Sequence, residues 1–117
     1  MVNKASTGSG RVVAPLANES FVGHLAQFFP AATPVRLPVR VIAEAGESEQ
    51  TVIEFGTSQE VLFASALPLE FGDHVRLRNV DGSLDAEACV VALQLCGGHT
   101  AVAARFTQEI SNWIVKP

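Results

Sequence analysis

The stretch TVIEFGTSQEVLFASALPLEFGDHVRLRN, residues 51–79, decides the fold. TVIEF and EVLFAS are short runs rich in β-branched and aromatic residues, joined by GTSQ. LPLEFGD then turns the chain through Pro68 and Gly72 into HVRLRN. There Val75 and Leu77 face one way and His74, Arg76 and Arg78 the other, the period-2 alternation of a half-buried strand.

The same reading extends outward. Upstream, in PVRLPVRVIAE, Val35, Leu37, Val39, Val41 and Ala43 share one parity, while Arg36, Arg40 and Glu44 share the other. Pro38 lacks an N–H and implies an edge or a bulge. The polar stretch Glu44 to Gln50, with Gly46, reads as a turn. Downstream, VDGS is a turn, LDAEACVVALQL a long strand, CGGH a second turn and TAVAARF a last strand. Val102, Ala104 and Phe106 fall on its inner parity. Six short antiparallel strands in succession predict a mainly β fold, a small closed or nearly closed barrel over about residues 35–106.

A helix is expected at each end. Asn18 begins the first, with Glu19 in its first turn and Pro30 ending it. Phe21, Leu25, Phe28 and Phe29 would form its apolar stripe. At the other end Phe106, Ile110, Trp113 and Ile114 lie at i, i+4, i+7 and i+8. That spacing predicts a helix over 107–115, capped by Thr107, with Glu109 near its positive end and Trp113 packed on the barrel beside Phe106 and Ile110.

The chain of 117 residues suits one domain, read as 18–117, preceded by a Gly/Ser/Ala-rich arm over 1–17. Apolar residues make up 48%, which excludes disorder throughout. The net charge of -4 and the absence of a basic patch argue against a nucleic-acid polymer as partner. No run approaches the ~20 apolar residues of a membrane helix. The N-terminus does not read as a signal peptide, so the location is read as cytoplasmic.

Chemistry is sparse. No nucleophile-elbow, phosphate-loop or zinc-protease string occurs. His24, His74 and His99 are dispersed and read as surface histidines. Cys89 and Cys96 have no accompanying ligand set and read as reduced thiols, so no metal is expected. Asp73, Asp81 and Asp85 flank turns. Glu54, Glu60 and Glu87 alternate with apolar residues and are expected to face solvent. No catalytic residue is assigned and no cofactor is expected.

In combination these elements resemble the PilZ family. The features that match are Leu62-Phe63 closing a strand, Leu67-Pro68-Leu69 leading to Gly72-Asp73, Val90-Val91 in the long strand, and Ala104-Arg105-Phe106 at the end of the barrel. RLPVRV, Arg36 to Val41, resembles the family's first strand. The resemblance covers about residues 35–106 and implies a six-stranded antiparallel barrel. It also implies a regulatory module of bacterial signalling. Typical members receive cyclic di-GMP through an R-x-x-x-R segment before the first strand and a D/N-x-S-x-x-G motif after the second.

This chain departs from both motifs. Phe55, Thr57 and Glu60 stand where the family has Asp or Asn, Ser and Gly. Glu60 brings a side chain and a negative charge to a place where a dianion would lie. Arg36-Leu37-Pro38-Val39-Arg40 fits the arginine string but falls inside the first strand, which separates the pair by roughly 13 Å. In the register that the strand's alternation favours, Phe29 and Thr33 occupy the arginine positions. The implied function is a non-catalytic module with weakened or lost cyclic di-GMP binding, acting on a protein partner that the sequence does not name. The alternative is a cyclic di-GMP receptor using Arg36, Arg40, Thr57 and Ser58, the last two in the Gly56–Ser58 turn. A small nucleic-acid-binding barrel and an enzyme with dispersed groups are the remaining readings.

Overall fold

The structure, a computed structural model, describes residues 21–116. The arm read over 1–17, and the helix start at Asn18 and Glu19, lie outside the described residues. One short helix, α1 (Phe21–Ala26), precedes strands β1 (Thr33–Ala43), β2 (Ser48–Gly56), β3 (Glu60–Ser65), β4 (His74–Asn79), β5 (Asp85–Cys96) and β6 (His99–Phe106). They close into a barrel in the order β1-β2-β3-β6-β5-β4, with β4 returning to β1. Every neighbouring pair is antiparallel. All six expected strands are present; β2 starts at Ser48, a little before the expected end of the turn.

Closure follows from the alternation. Val39, Val41, Ile53, Phe63, Leu77 and Val102 point inward and are buried. Removing each such side chain from water stabilises the fold by roughly 1.5–3 kcal/mol. The β5–β6 connection is a two-residue hairpin, Gly97-Gly98 between the paired Cys96 and His99. Gly97 adopts φ 65°, which a side chain would disfavour. Pro38 lies one residue before the β1–β4 ladder begins at Val39, and a bulge lies between Pro34 and Leu37. Thus a closed barrel tolerates its missing N–H.

A second bulge, between Ile53 and Phe55, changes which face β2 presents. Ile53 points into the barrel, but Phe55 points out and joins Leu62, Ala101 and Ala103 in an apolar patch. The helix α1 covers that patch with Val22 and Leu25. The expected stripe is only partly right. Leu25 is buried and Phe21 half-buried, whereas Phe28 is 74% exposed. The helix ends at Ala26, so Phe28 no longer follows its period.

The expected C-terminal helix does not form. Residues 107–116 run as an irregular strap across one end of the barrel. Thr107 does not cap a helix. Its N–H bonds the Glu87 carbonyl at 3.0 Å, continuing the β5–β6 pairing. Trp113 makes one helix-like turn bond, from its N–H to the Ile110 carbonyl at 3.3 Å. The apolar spacing is satisfied by packing on the barrel instead. Trp113 is 2% exposed and meets Phe106 edge-on at 5.3 Å between ring centres, with Ile110 packed alongside, while Ile114 faces solvent.

Candidate functional site

The β2–β3 turn is Gly56-Thr57-Ser58-Gln59-Glu60. Thr57 folds it locally. Its Oγ1 accepts from the Gln59 N–H at 3.1 Å and the Glu60 N–H at 2.8 Å, and donates to Oε1 of Glu60. The Thr57 N–H donates to the Glu60 carbonyl at 2.9 Å. The Thr57 carbonyl accepts from the Trp113 indole at 2.7 Å. Across the ladder Glu60 faces Arg105, whose Nε and Nη2 both reach Oε2, at 2.9 and 2.7 Å.

Glu60 is therefore not the solvent-facing carboxylate expected from its parity. It is 8% exposed, folded under the turn by Thr57 and neutralised by Arg105. Nor is it an unopposed negative charge, because a charge-assisted pair holds it. Gly56 permits the arrangement. A Cβ there would lie 2.7 Å from Cζ2 of Trp113, so only glycine lets the indole seat against the turn.

The four sequence-derived ligand residues fall into two groups. Thr57 is buried in the turn and Ser58 is half-exposed on the lip of a cleft of about 740 Å³. That cleft lies between the turn, Arg105 and the strap, with Ile110 and Lys116 on its far side. Arg36 and Arg40 are exposed on β1. Thr33 pairs with Gly56, so Arg36 lies roughly 10 Å and Arg40 roughly 23 Å along the strand from the turn's level. Arg40 donates from Nη1 to the Ser48 hydroxyl at 3.0 Å. The positions of the other register sit closer: Thr33 is opposite Gly56, and Phe29 packs against the apolar patch that contains Phe55.

Sequence reasoning missed Arg105 as Glu60's partner and the indole as the turn's cap. Both contacts span long separations along the chain, 45 residues for the ion pair and 56 for the indole bond. Only the strand register brings them together, and no local pattern carries it.

No family model matches the sequence, and no curated protein matches it. Among solved structures, the chain is similar to the Bacillus subtilis inhibitor of motility MotI/DgrA, with a TM-score of 0.54 and 16% identity. The match covers 69% of this chain and 43% of that one, so the chain spans under half the length of that neighbour. The fold is PilZ-like. In this barrel the β2–β3 turn is closed by its own side chains and by Arg105 and Trp113. No group of three or more histidine, cysteine or acidic side chains able to hold a metal exists among the described residues. No helix among them is long and apolar enough to cross a membrane.

Proposed function

We propose that this PilZ-like barrel is a non-catalytic regulatory module of bacterial signalling in the cytoplasm, acting through protein contacts, with cyclic di-GMP binding weakened or lost. One observation carries the reading. At the β2–β3 turn the N–H, carbonyl and hydroxyl of Thr57 and both carboxylate oxygens of Glu60 are committed to partners within the chain. A ligand seated there must break those bonds, and a displaced buried donor or acceptor costs about 1–3 kcal/mol if left unpaired. Phe55 adds a second obstacle, since it replaces a polar side chain with an apolar one already packed under α1. Phe28, Phe71 and Leu95 are exposed apolar side chains in three separate segments, each accessible to a protein partner. The likeness to an inhibitor of motility supports a regulatory rather than a catalytic role.

The test is a calorimetric titration of the full chain with cyclic di-GMP at low salt. The expected result is no binding in the micromolar range. Micromolar binding abolished by both Arg36→Ala and Thr57→Val would overturn the reading and establish the receptor alternative.

A further inference from the structure

The outer face of β1 and β4 lies away from the turn and carries an unbalanced cluster of guanidinium groups. Arg40 of β1 and Arg78 of β4 are direct cross-strand partners. Like charges placed so are unfavourable in a ladder on their own. Their neighbours neutralise them only in part, because the one carboxylate opposite Arg78, Asp85, is shared with Arg76. Arg76 takes Asp85 Oδ1 at 2.7 Å and is itself opposite Glu87. Arg78, opposite Asp85 in the ladder, makes an ion pair with its Oδ2 at 3.6 Å, longer than a hydrogen bond. Arg40 has no carboxylate within ion-pair distance among the described residues and bonds only a serine hydroxyl.

The same row places Gln50 of β2 on the other side of Arg40. Its side-chain amide makes no hydrogen bond among the described residues. A groove of about 630 Å³ runs over this row, with Pro38, Val52 and Val80 beside the polar groups. The groove is open to solvent, and its volume and its mixture of apolar and polar groups suit a small organic ligand.

We propose that this groove binds a phosphate monoester carried on a small organic group. The two guanidinium forks hold the phosphate oxygens, Gln50 donates its amide, and Pro38, Val52 and Val80 cover the organic part. A dianion between Arg40 and Arg78 turns their mutual repulsion into attraction. The chain's net charge of -4 opposes an extended polyanion. A small anion senses chiefly the charges within a screening length of roughly 8 Å, and on this face Arg40, Arg76 and Arg78 stand against Asp85 and Glu87. The inference goes beyond the functional reading above and is separable from it: Arg40 is common to this site and to the receptor alternative, but only this site needs Arg78 and only the alternative needs Arg36 and Thr57.

The test is an NMR titration of the full chain, following backbone amides and arginine Nε–H signals, with inorganic phosphate, guanosine monophosphate and phenyl phosphate as probes. The organic phosphates are expected to shift Arg40, Gln50 and Arg78, with inorganic phosphate weaker at the same residues. Arg40→Gln and Arg78→Gln should each weaken binding about tenfold, and Asp85→Asn should tighten it. Arg36→Gln should leave it unchanged. No shifts up to about 10 mM ligand, unchanged affinity in the Arg40→Gln/Arg78→Gln double variant, or a response confined to RNA or anionic vesicles overturns the proposal.

Discussion

The β2–β3 turn and the outer face of β1 and β4 both bring arginine to a polar surface, yet they differ in what is left over. At the turn, Arg105 meets one nearly buried carboxylate, and the Thr57 hydroxyl and the indole take up the rest. On the β1/β4 face, Arg40 and Arg78 stand side by side, and the one carboxylate in their row, Asp85 beyond Arg78, is shared with Arg76. The same residue type is a structural tie in one place and an available group in the other. The difference lies in the partner across the ladder, Glu60 for Arg105 and Arg78 for Arg40. A motif therefore locates a polar position, and the register decides whether its groups are free.

The largest effect should come from removing the cap on the closed region. Trp113→Ala deletes a buried aromatic, its contact with Phe106 and its bond to Thr57. The expected loss is about 3–5 kcal/mol, read as a lower urea midpoint. Gly56→Ala should reproduce part of it, about 1–3 kcal/mol, because the added methyl forces the indole away. If Gly56→Ala is neutral while Trp113→Ala is severe, the indole is core filling and does not close the turn.

How much of this was legible follows from the range of each signal. The six strands were readable because alternation is local: Val75 and Leu77 against Arg76 and Arg78 state a buried face within four residues. The strap was misread because Phe106, Ile110 and Trp113 do carry helical spacing. They meet the barrel end one at a time, and bonds from Thr107 to Glu87 and from Trp113 to Thr57 outweigh helix propensity. The bulge that turns Phe55 outward has no signal in TVIEF, since period 2 alone continues through it. The position of the closed turn was legible from Thr57 and Glu60, but its closure was not, because Arg105 and Trp113 arrive from distant sequence.

A smaller effect is expected at the ion pair. Glu60→Ala should cost about 1–2 kcal/mol: it removes a charge-assisted bond, but Arg105 is half-exposed and can turn to water. A double-mutant cycle with Arg105→Ala should show coupling, and the Trp113 fluorescence should move toward that of a wetter indole. Absence of coupling would mean the pair is incidental and that Thr57 alone closes the turn.

The smallest effect belongs to the open face, and it is visible in the pH dependence. The Asp85 carboxyl is held below its ordinary range, chiefly by the hydrogen bond from Arg76 and also by the charges of Arg76 and Arg78. Glu87 is lowered in the same direction, chiefly by its bond with His74. A carboxyl whose pKa is lower folded than unfolded binds fewer protons in the native state. Its contribution to stability is complete above the unfolded value, about 3.9 for Asp, and is lost as pH falls through the lowered folded value. Asp85→Asn should therefore leave the neutral-to-alkaline stability profile nearly parallel to the wild type and flatten the acid limb below about pH 4. The group is exposed, so the change should be close to the limit of equilibrium urea measurements. If the acid limb flattens while Arg40→Gln has no effect on stability at any pH, Asp85 is the tie on this face and Arg40 is structurally idle. An equal loss from Arg40→Gln would instead give Arg40 a stabilising role within the barrel, making the β1/β4 face more like the turn than the present geometry implies.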